Sequence, residues 1–288
     1  MRSIWLLRTS RQYAAIRTTR IRSNIAMEPS SPDYRMRRGS SRSVDMASPF
    51  LTARWEDLVV LNYSCSPQIL EPLVPRGTVL DLWNGDALVS LVGFLFKSTR
   101  ILGLRIPLHQ TFEEVNLRFY VRRITSSGET RRAVVFVREL VPRLAIAAVA
   151  RWAYNEPYLA VPMGHRSSLT DTDGGAVAYS WSYRGQQFML SADVDGPSQG
   201  WTPATEAEFV TEHYWGYTRQ RNGDTLEYQV AHPPWQIWKA TAAAFVGPGA
   251  SLYGSAFGDV LAKGPRSAFV STGSAVVVHR GRRLDSAG

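Results

Sequence analysis

Glu114, Asn116, Arg118 and Tyr120 occupy alternate positions in the run Phe112-Glu113-Glu114-Val115-Asn116-Leu117-Arg118-Phe119-Tyr120-Val121. A period of two puts them on one face of a β-strand, with Val115, Leu117, Phe119 and Val121 on the other. A guanidinium, an amide, a phenol and a carboxyl on one face can recognise a small anion or a carbonyl group. Arg118 would be the charge anchor. Glu114 would orient it, or act as an acid or base once burial raises its pKa. On an open antiparallel sheet such a face is solvated, and alternation alone favours that outcome. If the sheet closes, the face lines an interior, and the arginine there must find a partner or bind an anion.

Other clusters are weaker. His213-Tyr214-Trp215-Gly216-Tyr217 and His232-Pro233-Pro234-Trp235 are dense in aromatics, which usually means core packing. His232 is retained as a candidate catalytic proton carrier beside Glu114. Neither histidine has an acid at a metal-like spacing. Asp171, Asp173 and Gly174 resemble the start of a calcium loop, but the closing glutamate is missing, so the segment reads as a turn. Nucleophile-elbow, Walker and dinucleotide motifs are absent. The single cysteine, Cys65, excludes an intramolecular disulfide and a cysteine zinc site. No metal and no cofactor is expected.

The elements that must position these residues are mostly strands. Leu58 to Tyr63 reads as a buried strand, and Ser66-Pro67 opens a short helix. Val79 to Trp83 and Ala87 to Phe96 read as a hairpin across Asn84-Gly85-Asp86. Glu113 to Arg123 is followed by a strand from Ala133 to Leu140, and Pro142 opens a helix reaching about Tyr154. Tyr158 to Met163 is a strand. Hairpins are expected at 176–193 and 214–232, a helix capped at Thr202-Pro203, another near 236–245, and a last strand ending at Val276-Val277-Val278. This pattern is α+β: a mostly antiparallel sheet that curls into a closed or nearly closed barrel, with a few short peripheral helices.

Charge is unevenly placed. The chain of 288 residues has a formal charge of +9. Ten arginines against Glu28, Asp33 and Asp45 put +7 of it in residues 1–45. The expected organisation is therefore a basic tail over 1–45 and a single domain over 46–288. The tail reads as a segment preceding a later start, at Met27, Met36 or Met46, with a mitochondrial transit peptide as the alternative. The near-neutral remainder disfavours nucleic acid as a partner. No apolar run approaches the ~20 residues that span a bilayer, so no membrane partner is expected and the location is read as cytoplasmic. Homo-oligomerisation is left open.

Several stretches resemble the YqjF-like family, DUF2071: Thr52 to Leu58, Leu70 to Pro75, Phe112 to Val121, Glu156-Pro157-Tyr158, Glu208 to Glu212, Tyr214-Trp215 and His232 to Trp235. That family is similar in fold to acetoacetate decarboxylase, a closed barrel around a cavity. The resemblance implies a cavity that binds a small anionic or carbonyl-bearing molecule, and Glu114 matches a carboxylate lining it. In the decarboxylase a Gly-x-Pro-Lys-Lys turn supplies a Schiff-base lysine. The counterpart here is Asn155-Glu156-Pro157-Tyr158-Leu159, and Tyr158 stands at the nucleophile's place. The resemblance thus implies an inherited cavity without imine chemistry. Tyr120 and Tyr158 would donate hydrogen bonds to the ligand. Three readings follow: a lysine-independent lyase, isomerase or hydrolase; a binding protein; or a structural protein with a filled core.

Overall fold

The computed structural model describes residues 49–107, 109–144 and 155–284. The expected basic tail and most of the helix expected after Pro142 lie outside them. Seven strands close a ring. They are β1 (Pro49–Cys65), β3 (Ala87–Ile101), β5 (Phe112–Ile124), β6 (Thr130–Val141), β12 (Trp215–Arg219), β13 (Thr225–Ala231) and β16 (Ser267–His279). Their order is β16-β1-β3-β5-β6-β12-β13, and β13 pairs with β16 to close the circle. Every pairing is antiparallel except β6 with β12. The closed α+β architecture anticipated from the strand pattern is present.

A second sheet packs outside the ring: β8 (Met163–Ser167), β9 (Gly174–Tyr183), β10 (Gln186–Asp195) and β15 (Ala242–Val246). The apolar face of β5 turns towards it. Val115, Leu117, Phe119 and Val121 share one core with Tyr179, Trp181, Phe188 and Leu190. Gly93 lets the two sheets approach, because a Cβ there would lie 2.7 Å from the Tyr179 ring. The helices are short: α1 (Pro67–Leu70), α2 (Glu206–Thr211), α3 (Gly249–Tyr253) and α4 (Ser255–Ala262). α3 and α4 add Leu252, Tyr253, Phe257, Val260 and Leu261 to the outer core. The face of β5 opposite the apolar one looks into the ring.

Four local expectations change. The Asn84-Gly85 turn forms, with both residues at positive φ, but β2 (Val79–Leu80) pairs with β5 instead of β3. Only Trp83 bridges Asp86 across the turn. The helix expected near 236–245 is two strands, β14 (Gln236–Lys239) and β15. β14 pairs with β16 and β15 with β10, so sheet edges claim a segment whose alanines suited a helix equally well. The cap of α2 is Thr205, not Thr202: Thr205 Oγ1 accepts from the Glu208 amide, and the Glu208 carboxylate accepts from the Ala204 amide. The strand expected to end at Phe96 runs on to Ile101 as β3 and turns at Leu102-Gly103 into β4 (Leu104–Arg105).

Candidate functional site

The interior of the ring holds a cavity of about 360 Å³. One part of its wall is aromatic. Phe94 lies 4.9 Å from Trp55, Phe96 stacks on Phe112 at 4.6 Å, and His232 stacks on Trp235 at 4.4 Å. The rest is polar, built from Glu114, Asn116 and Arg118 of β5, Glu139 of β6, Glu156, Tyr158 at the start of β7 (Tyr158–Ala160), Thr211, His213 and Tyr228.

The β5 residues arrive there by simple alternation. Glu139 does not. Leu117 pairs with Arg138 but Arg118 pairs with Phe136, so Val137 is an extra residue in β6. This bulge reverses the parity of the strand. On one side of it Val134 and Phe136 face the cavity, and on the other Glu139 does. Asn116 stands directly opposite Glu139. Tyr158 comes in on β7, which runs parallel to β6 with Tyr158 beside Glu139.

Three buried carboxyls therefore share one end of the cavity. Glu114 accepts from Asn116 Nδ2 at 3.0 Å and from the Tyr158 hydroxyl at 3.0 Å. Glu156 accepts from Tyr228 at 2.8 Å and from the Thr218 hydroxyl. Burial pushes Glu114 up to about 7, against the lowering effects of Asn116, Tyr158 and the Arg118 charge. Burial pushes Glu156 up to about 7 as well, opposed by Thr218 and Tyr228 and aided by the charge of Glu114. Glu139 is also raised well above the usual carboxylate range, by burial first and then by Glu156 and Glu114. Burial also holds Tyr158 protonated. Such a cluster retains protons at neutral pH and can both donate and accept them.

Arg118 is the one Lys or Arg side chain among the lining residues. The hydrogen bond expected between it and Glu114 does not form. Arg118 Nη2 donates to the Val210 carbonyl at 3.2 Å, while Asn116 and Tyr158 occupy the carboxylate. The helix α2 thus competes successfully for the guanidinium, because its C-terminal carbonyls lack partners within the helix. Tyr120 is on the predicted face but is set apart from the cavity. Its hydroxyl meets Ser90 Oγ at 2.5 Å and its ring packs against Phe209 and His213. Glu114, Asn116, Arg118, Tyr158 and His232 do converge on one space.

His213 and His232 are neutral at pH 7. Burial pulls His213 down to about 4, with its Nε2 3.7 Å from Asp81. Burial also lowers His232, whose Nδ1 lies 3.0 Å from the Pro233 carbonyl oxygen. With Nδ1 donating to that carbonyl, Nε2 is the accepting nitrogen. The three lysines of the chain lie elsewhere. Lys97 pairs with Glu56, and Lys239 and Lys263 are exposed. Among the described residues, no group of three His, Cys, Asp or Glu side chains is arranged to hold a metal.

Glu139, Glu156, His213 and Tyr228 were not picked out as site residues from the sequence. Glu156 and Tyr228 carried a signal, a carboxyl before Pro157-Tyr158 and a tyrosine in a dense aromatic region. Glu139 carried none, since strict alternation from Val135 and Val137 sends it outward.

Residues 52–275 match the model of DUF2071, described as an uncharacterized conserved protein (COG2071). The chain belongs to this family. It is 30% identical over 193 residues to the uncharacterized protein YqjF of Bacillus subtilis (strain 168), covering 65% of this chain and 75% of YqjF. Solved structures share the fold. The enduracididine biosynthesis enzyme MppR with HEPES buffer bound superposes with a TM-score of 0.60 at 15% identity, over 84% of this chain and 90% of its own. Acetoacetate decarboxylase from Legionella pneumophila gives a TM-score of 0.59 at 11% identity, over 87% and 93%. An acetoacetate decarboxylase-like enzyme from Sphingomonas wittichii RW1 gives 0.56 at 14%, over 83% and 95%. The DUF2071 domain here therefore has the acetoacetate decarboxylase-like fold. Among the described residues, no helix is long and apolar enough to cross a membrane.

Proposed function

We propose that this DUF2071 protein holds a small molecule with an apolar body and a carbonyl head, and moves protons beside that carbonyl without a lysine. One observation carries the reading. Asn116 Oδ1, Arg118 Nε, Glu139 Oε2 and His213 Nδ1 are buried without a hydrogen-bond partner in the protein. All four side chains line the same cavity. Unpaired buried polar atoms are costly, and their convergence suits a ligand carrying its own donors and acceptors. The aromatic wall supplies the matching apolar surface.

Of the two ligand classes expected, the carbonyl suits the cavity better. The cavity holds three carboxyls and a single guanidinium, so a full negative charge on the ligand would have one cation to balance it and would oppose ionisation of the carboxyls. In the proposed step the Glu114 carboxylate takes a proton from the carbon next to the carbonyl. The C–H electron pair moves to form the enol double bond. The carbonyl oxygen, held by Arg118, receives the proton of Glu139. Return of a proton to another carbon gives isomerisation, and loss of a leaving group gives a lyase reaction. His232, neutral and at the aromatic wall, is a further proton acceptor. One enzyme with this fold, MppR, has been seen complexed with pyruvate, which is in keeping with a carbonyl ligand.

The test is proton exchange. A panel of ketones and 2-oxo acids is incubated with the protein in D2O and followed by NMR. Deuterium should enter the carbon next to the carbonyl of at least one compound, and Glu114→Gln should reduce the rate at least a hundredfold. Borohydride treatment of the same mixtures should leave the protein mass unchanged. A saturable rise in Tm without exchange would establish a binding protein in place of an enzyme. Reductive trapping on Lys97, Lys239 or Lys263 coupled to exchange would overturn the lysine-independent step.

A further inference from the structure

The β3–β4 hairpin, Arg100 to Ile106, is built against the usual economy of a soluble surface. Its two-residue turn is Leu102-Gly103, with φ of 51° and 80°. Positive φ at both positions is the requirement of a type I′ turn, which asparagine, aspartate and glycine meet at low cost and leucine does not. Leu102 is held in that conformation and remains 51% exposed; Leu104 is 68% exposed and Ile106 38%. Nothing in the turn itself favours a leucine there, so its use must lie in what the exposed side chain meets.

Two further observations say what that is. The hairpin is basic: Arg100 pairs across it with Arg105, and residues 87–112 contain no aspartate or glutamate. Arg54 and Arg280 are exposed at the same end of the ring, beside Thr52–Arg100 and Pro49–His279 pairings. The hairpin also belongs to the cavity. Ile101, Ile106 and His109 line it, and Ile106 is the one lining residue that is exposed. The apolar tip thus stands at the cavity mouth.

We propose that this hairpin docks the mouth of the cavity onto an anionic lipid surface, with Leu102, Leu104 and Ile106 entering the headgroup boundary and Arg100 and Arg105 at the phosphates. Exposed leucines between arginines suit that boundary, where apolar burial and attraction to anionic headgroups add. A neutral aqueous partner would leave the arginines without a role, and a purely electrostatic one would leave the leucines without one. The absence of an apolar span, which led to the expectation of no membrane partner, does not bear on docking of this kind. The proposal stands whichever chemistry the polar end of the cavity performs.

The test uses the full chain, in which arginines outside the hairpin also attract anionic vesicles, so the readout must be local. Leu104→Cys is labelled with an environment-sensitive fluorophore, with Cys65 buried and wild type as the labelling control. Ser127→Cys, in the turn at the opposite end of β5, is the position control. Vesicles of phosphatidylcholine with phosphatidylglycerol should blue-shift the probe at 104 and allow brominated lipid to quench it. The probe at 127 should not respond, and pure phosphatidylcholine should give at most a tenth of the effect. Adding Leu102→Asp should abolish the shift without moving Tm by more than a degree or two. Protein that floats with anionic vesicles while the 104 probe stays in water overturns the proposal. A blue shift without vesicles that grows with protein concentration also overturns it, by making a second copy the occupant.

Discussion

The residues of the cavity set a pH dependence whose sign can be worked out. Glu114 and Glu156 are raised from 4.5 to about 7 in the folded protein. The stability associated with their neutral forms is fully present below pH 4.5 and is lost as pH rises through 7. Each affected group removes at most about 1.4 kcal/mol per pH unit across that window. His213 works in the opposite sense. Its pKa falls from 6.5 to about 4, so its contribution is full above 6.5 and is lost as pH falls through 4. The two effects oppose each other between 4.5 and 6.5, and the carboxyls are best isolated by substitution. A Glu114→Gln/Glu156→Gln variant keeps hydrogen-bonding side chains but cannot ionise. Its Tm relative to wild type should rise steadily from pH 5 to pH 7.5. A constant difference across that range would show that the carboxyls ionise normally in the folded ring. The sequence revealed Glu114 and Arg118 through alternation, but not which partner each would take. That choice rests on Val210 and Tyr158, which are 92 and 44 residues away from Arg118 and Glu114 respectively.

At the scale of elements, β5 was legible because its alternation is unbroken over its length. β6 was legible as a strand and illegible in its facing, because one extra residue at Val137 reverses parity and leaves no mark in composition. The strand β14 was misread for a different reason. Short segments with small and aromatic residues suit helix or strand, and an available sheet edge decides between them. The hairpin of β12 and β13 was legible from Asn222-Gly223, and it carries a constraint that the sequence shows only as a glycine. A Cβ on Gly216 would lie 2.2 Å from the Tyr228 ring, whose hydroxyl donates to Glu156. Gly216→Ala should push that ring away from Glu156. Overpacking of this kind costs roughly 1–3 kcal/mol. The expected signature is a lowered Tm together with a further rise of the Glu156 pKa, since one hydrogen bond favouring its ionised form is lost. Infrared difference spectra of the carboxyl stretch with pH would report that shift. An unchanged carboxyl titration in a destabilised variant would mean that Tyr228 moves without releasing Glu156.

For the whole molecule, the decisive property is that closure of seven strands turns a polar strand face inward and leaves space around it. Alternation alone favoured a solvated outer face, and only the pairing of β13 with β16 excludes that. Whether the interior is room or packed core can be tested by adding atoms to it. Val92 is inward-facing on β3, buried, between Val60 and Asn116 in the pairing, and lines the cavity. A phenylalanine there would project into a space of about 360 Å³. In a filled core the larger ring would force neighbours off their rotamers and cost roughly 1–3 kcal/mol. In an open cavity it buries new apolar surface against Trp55, Phe94 and Trp235, and burying such a side chain fully is worth about 1.5–3 kcal/mol. Val92→Phe should therefore hold or raise Tm while abolishing the saturable binding of any carbonyl compound found by the exchange screen. Val121→Trp, on the outward face of the same sheet, is the contrasting variant: that face is packed against the outer core, and the substitution should lower Tm. If Val92→Phe destabilises the protein as much as Val121→Trp does, the interior is packed, and the reading of the ring as a receptacle fails with it.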